Sequence, residues 1–173
     1  ICLPHDFQIS QPWIAPSPEE KGDATNAAAN IKSRLSARGF KELTKGIYRR
    51  TIIPLAAWRN KRVLLDFGGI MLVGDVYLNG QHIGKTDYGY LGFECDITDK
   101  LIYDKPNEII VTAETQGPRN SRWYTGGGLY RGVRIIVTDK QNHFNRHPLY
   151  ITTQENRKVN IQADFCYMEN VDT

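Results

Sequence analysis

The segment "MLVGDVYLNGQHIGKT", residues 71–86, constrains the fold more than any other part of the chain. Apolar residues alternate on both sides of Asn79-Gly80. A type I′ turn needs positive φ at both central positions, and Asn-Gly supplies it at little steric cost. The segment therefore reads as a β-hairpin, and its neighbours repeat the texture. β-branched and aromatic runs stand at 46–54 ("GIYRRTIIP"), 61–69 ("KRVLLDFGG"), 90–98 ("YLGFECDIT"), 107–115 ("NEIIVTAET") and 132–139 ("GVRIIVTD"). Turn signals recur about every 8–12 residues, the spacing of an all-β sandwich.

Two stretches break this rhythm. Residues 17–44 are alanine-rich and polar, with Ser17-Pro18-Glu19-Glu20 resembling a helix start. Gly22 weakens that start, so a partly helical surface insertion is expected, its helix running from about Asp23 to Ala37. After Asp139, "KQNHFNRHP" reads as a polar linker ending in proline, followed by strands "LYITTQ" and "KVNIQADFCY" with a turn at Glu155-Asn156. The earlier strands already suffice to close a sandwich. The expected division is thus 1–140 as one domain and 141–173 as a linker and the start of another.

Composition excludes several classes. With 173 residues, 40% hydrophobic and 24% charged, the chain can bury on the order of 70% of its unfolded surface and needs no staples. A net charge of +3, with Lys and Arg spread along the chain, gives no footprint for nucleic acid. No apolar run approaches the roughly 18 residues of a membrane span. "ICLPHDF" has neither basic leader nor apolar segment; a periplasmic or extracellular location fits only if a leader has been removed, so the compartment stays open. Cys2, Cys95 and Cys166 form no CxxC pair and lack ligand spacing with the four histidines, so neither metal nor cofactor is expected.

Catalytic motifs are equally sparse. "GQHIGKT" is one residue short of a phosphate loop, and it follows a hairpin turn with no helix pattern after it. Asp66, Asp75, Asp87, Glu94, Asp96 and Glu114 alternate out of strands or sit in turns, which predicts solvated positions rather than a carboxylate pair. The chain by itself is expected to be non-catalytic.

One segment stands apart: "NSRWYTGGGLYRGV", residues 120–133. It sets aromatic rings and a guanidinium beside consecutive glycines. Trp123 and Tyr130 as core residues around a tight turn is one reading. The other is a sugar site, because a pyranose presents apolar C–H faces and vicinal hydroxyls that call for flat rings and planar donors. Arg122 offers a rigid fork of donors, and Asn120 both a donor and an acceptor.

In this setting the chain resembles the amino-terminal domain of glycoside hydrolase family 2, which holds β-galactosidases, β-glucuronidases and β-mannosidases. The likeness rests on "LPHDF", on "GIYRRTIIP", on "VLLDFGGIMLVGDVYLNGQHIGKTDYGYLGFECDIT" and on "NSRWYTGGGLYRGV", in that order along the chain. The resemblance implies a galactose-binding-domain-like jelly-roll β-sandwich, with the first strands of an immunoglobulin-like sandwich from about His147. It implies that two catalytic glutamates of a retaining mechanism lie in a downstream (β/α)8 barrel. The partners so implied are a terminal β-linked sugar and those downstream domains, with a homo-oligomeric parent also open. The candidate substrate-binding residues are Arg122, Asn120, Ser121, Tyr124 and Trp123. Arg122 ranks first for a hydroxyl contact; Trp123, Tyr124, Tyr130 and Arg131 are expected chiefly to shape the loop. His5 and Asp6 are expected to tie the first segment to it. A free-standing carbohydrate-binding module and a pure scaffold are the competing readings.

Overall fold

The computed structural model describes residues 1–14, 40–116 and 124–167. Among these residues nine strands run in chain order: β1 Lys45–Ile52, β2 Lys61–Phe67, β3 Val73–Leu78, β4 Gln81–Thr86, β5 Phe93–Asp96, β6 Asn107–Glu114, β7 Val133–Asp139, β8 His143–Gln154 and β9 Lys158–Cys166. They form a four-stranded sheet ordered β1-β6-β3-β4, a three-stranded sheet ordered β5-β2-β7, and a separate pair β8-β9. All pairings are antiparallel.

Successive side chains on a strand point to opposite faces, and this period places the core. Val63, Leu65 and Phe67 of β2 meet Val76 and Leu78 of β3 and Ile109, Val111 and Ala113 of β6 in one buried cluster. Phe93 stacks on Phe67 with ring centroids 5.1 Å apart. The expected hairpin forms as the Asn-Gly chemistry requires: Leu78 faces Gln81, with Asn79 at φ 50 and Gly80 at φ 79. Asn79 also pins the turn to β6, donating Nδ2 to Asn107 Oδ1 at 2.9 Å and accepting Glu108 N–H at 2.9 Å. The phosphate-loop lookalike is strand β4, paired to β3.

The chain changes sheet after most strands, passing from β2 to β3, from β4 to β5 and from β6 to β7. Hydrogen bonds join these three connections at one end of the sandwich. Met71 and Gly128 exchange N–H···O bonds of 2.9 and 2.7 Å, and the Tyr130 hydroxyl donates to Gly89 O at 2.7 Å. The Asn79-Gly80 turn connects two strands within one sheet instead.

Two expectations are corrected. Residues 143–148, read as a linker, are the first half of β8. Asp66, read as solvated, is 3% exposed. Leu64 and Asp66 of its strand are buried although they face away from the apolar core, and Asp66 is neutralised there by Arg134 of β7 and by Arg146 reaching across from β8. The helix expected at 23–37 lies outside the described residues. Within the expected insertion, residues 41–44 are not helical, and Lys41 bridges Trp13.

Candidate functional site

The glycine run of 126–128 sits at the end where the sheet-crossing connections meet, and its glycines are obligatory. Gly126 has φ +70 and Gly128 φ +127, conformations that L side chains rarely adopt. A Cβ on Gly127 would strike Thr115, and one on Gly128 would strike the Tyr48 hydroxyl and lie 2.8 Å from His5 O. Bare backbone is what lets the first segment of the chain lie alongside. His5 N–H donates to Leu129 O at 2.8 Å, and Phe7 N–H to Gly127 O at 2.9 Å.

Asp6 organises this contact. Its Oδ1 accepts the N–H of Gln8 at 2.9 Å and of Gly127 at 2.8 Å, while Oδ2 accepts the Tyr124 hydroxyl at 2.7 Å. A carboxylate engaged three times in this way acts as a clamp on the loop, as the His5 and Asp6 expectation required. Tyr48 completes the frame. Its hydroxyl accepts Leu129 N–H at 3.3 Å and lies 2.9 Å from His5 Nδ1. Burial pushes the Tyr48 phenol above its ordinary value, the Leu129 N–H bond opposes this, and the Asp6 charge adds to the rise. The phenol is therefore neutral at physiological pH and keeps its proton for hydrogen bonding.

Beneath the clamp lies a polar network that sequence reasoning missed. Gln8, fully buried, donates Nε2 to Glu42 O at 2.6 Å, and its Oε1 lies 2.9 Å from the Thr115 hydroxyl. Thr115 Oγ1 in turn accepts Thr44 N–H at 3.1 Å. Thr115 directly follows β6, so the network anchors the start of the β6–β7 connection. No local signal marks Gln8, because its partners come from other elements.

Of the five candidate sugar-contact residues, Tyr124 is described: it is 40% exposed and bonded to Asp6. Asn120, Ser121, Arg122 and Trp123 lie outside the described residues. Tyr130 and Arg131 flank the loop's exit. Burial raises the Tyr130 phenol, Arg131 opposing and Tyr90 adding to the shift. The Arg131 guanidinium lies 5.0 Å from the Tyr130 ring centroid and donates to Gly68 O at 3.3 Å. No cluster of potential metal ligands occurs among the described residues, and no helix among them is long and apolar enough to cross a membrane.

Two facing antiparallel sheets that exchange strands at an end crowned by glycine-rich connections define a galactose-binding-like jelly-roll β-sandwich. Residues 40–150 match the family described as glycosyl hydrolase 2 galactose-binding domain-like, and the chain belongs to it. The chain is 30% identical to the β-galactosidase BoGH2A of Bacteroides ovatus over 88% of its own length and 16% of that protein's. It is 32% identical to a β-glucuronidase of Bacteroides fragilis, covering 55% of this chain and 14% of the relative. A crystal structure of a β-glycosidase from Bacteroides vulgatus superposes with a TM-score of 0.77 at 26% identity, covering 98% of this chain and 20% of that one. The chain thus corresponds to a small part of multidomain glycoside hydrolases.

Proposed function

We propose that this domain is the non-catalytic sugar-positioning module of a multidomain retaining β-glycosidase, most simply a β-galactosidase, with a β-glucuronidase next. In this reading the hydrolytic glutamates reside in a (β/α)8 barrel elsewhere in the parent. Arg122, Asn120 and Ser121 bind hydroxyls of the terminal sugar, while Trp123 and Tyr124 shape the subsite. The observation behind it is the Asp6 clamp. By fixing Tyr124 and Gly127, it holds the residues immediately after 120–123 in place, as a preorganised contact loop requires. The names of the relatives, both β-galactosidase and β-glucuronidase, support the reaction class.

The same reading takes 1–140 as the sugar-binding sandwich and 141–173 as the beginning of an immunoglobulin-like domain. The β8-β9 pair supports this, since it forms its own sheet and leaves Leu149, Tyr150, Ile151, Val159 and Ile161 more than half exposed.

Arg122→Ala in the parent enzyme tests the function. A tenfold or larger fall in kcat/KM on an aryl β-glycoside, about 1.4 kcal/mol of transition-state stabilisation, is expected. An unchanged kcat/KM would leave only a scaffold role. Calorimetry on the isolated chain supplies the second arm. A subsite completed by another domain should bind galactose or glucuronate more weakly than about 1 mM. Tighter binding would instead identify a self-sufficient carbohydrate-binding module.

A further inference from the structure

A cleft of about 340 Å³ separates the outer face of the three-stranded sheet from β8, lined among others by Asp66, Glu94, Arg134 and Arg146. At its floor Asp66, with a side chain 5% exposed, receives two guanidinium groups. Arg134 Nη2 of β7 reaches Oδ2 at 3.2 Å, and Arg146 Nη2 of β8 reaches Oδ1 at 2.9 Å. Arg146 Nε also lies 3.7 Å from Glu94 Oε1 of β5. One side chain of the C-terminal strand pair thus meets carboxylates on two strands of the sandwich.

Three features converge on that arginine. First, β8 carries a bulge at the right place. Phe144 pairs with Phe165 and Leu149 with Ala163, so five steps on β8 match two on β9, and the extra residues include Arg146. A bulge re-aims the side chains it carries, and His147 within it holds φ 52. Second, the bulge is braced where it begins. The Phe144 and Phe165 rings meet edge to face at 4.9 Å, and Asn145 donates to Asp164 at 2.9 Å. Third, Gly92 stands where a Cβ would strike the Arg146 guanidinium. That Cβ would also lie 2.6 Å from Phe67 O and 3.1 Å from Gly68 O, so bare backbone at position 92 lets the end of β2 and the Arg146 guanidinium share one space.

We propose that Asp66 and Arg146 form an orientation latch, which fixes the direction in which the segment after Asp139 leaves the sandwich. Asp66 is a positioning residue in this arrangement. Two strands joined to the sandwich by the short stretch 140–142 would otherwise pivot there. A buried carboxylate that loses one of its two cations is left undercompensated, so the latch favours one orientation over a continuum of others.

The chain carries its own probes. Cys2 and Cys166 are exposed, whereas Cys95 is buried and its thiol is pushed up to about 11. Nitroxide labels therefore report on Cys2 of the sandwich and Cys166 of β9. Double electron–electron resonance on the wild-type chain should give one narrow distance distribution. Asp66→Asn and Arg146→Gln should each broaden or shift it, with far-UV dichroism unchanged. Should Asp66→Asn fail to fold, Arg146→Gln decides, since that side chain is 26% exposed and lies outside the apolar core. A distribution unchanged in position and width in Arg146→Gln, or one already broad in wild type, overturns the latch.

Discussion

Removing the Asp6 carboxylate tests the account of how the glycine loop is held. Asp6→Ala deletes the acceptor for Gly127 N–H at 2.8 Å, Gln8 N–H at 2.9 Å and the Tyr124 hydroxyl at 2.7 Å. A hydrogen bond to a charged group contributes about 1.5–3 kcal/mol, and a buried donor stranded without a partner costs about 1–3 kcal/mol. Both N–H groups are partly buried, so each stands toward the lower end of that range. Tyr124 is 40% exposed and can bond to water, so its loss counts for little. The sum is about 3 kcal/mol. For a chain of this size it lowers Tm by about 6–12 °C. Asp6→Asn keeps a neutral acceptor at Oδ1 and should cost about 1 kcal/mol. Urea unfolding gives the energies, and hydrogen exchange at the Gly127 amide shows whether the loss is local to the clamp. The Tyr48 phenol supplies a third readout: with the Asp6 charge gone, its titration should move down while burial still holds it above the ordinary tyrosine value. An Asp6→Ala chain within about 0.5 kcal/mol of wild type, with Gly127 protection unchanged, would refute the clamp.

Further outcomes follow from the same structure. Gly128→Ala places a Cβ against the Tyr48 hydroxyl at φ +127, so a loss of at least about 2 kcal/mol in urea unfolding is expected, strain and clash adding. Asn107, fully buried, accepts from Ile102 N–H and Asn79 and donates to Ile102 O and Lys105 O; Asn107→Ala should cost about 3 kcal/mol, and Asn107→Asp nearly as much. Asp139 is held at about 2 by N–H donation from Asn142, by Lys61 and by Gln141 N–H. Because the folded value lies below the unfolded one of about 3.9, its contribution is complete above pH 4 and disappears as pH falls through 2. A carboxyl-carbon titration should show that midpoint, and Lys61→Met should raise it.

The sandwich was legible from the sequence because its signals are local. Period-2 alternation says which side of β2 or β6 faces inward, and Asn79-Gly80 names its own turn through the φ values it tolerates. The glycines of 126–128 likewise announced bare backbone, and the structure puts Asp6, Tyr48 and Thr115 where a Cβ would stand. Asp66 shows the limit of such reading. On a strand a carboxylate at an outward position reads as solvated, whereas here Arg134 and, 80 residues later in the chain, Arg146 pair with it. Gln8 and Gly92 are similar cases, polar or small for the sake of partners from other elements. Sequence alone thus determined the strands, the turn and the family motifs, which depend on dihedral preference and hydrophobic period. Tertiary structure alone decided which polar groups are buried, because charge compensation and hydrogen bonding are properties of groups brought together in space.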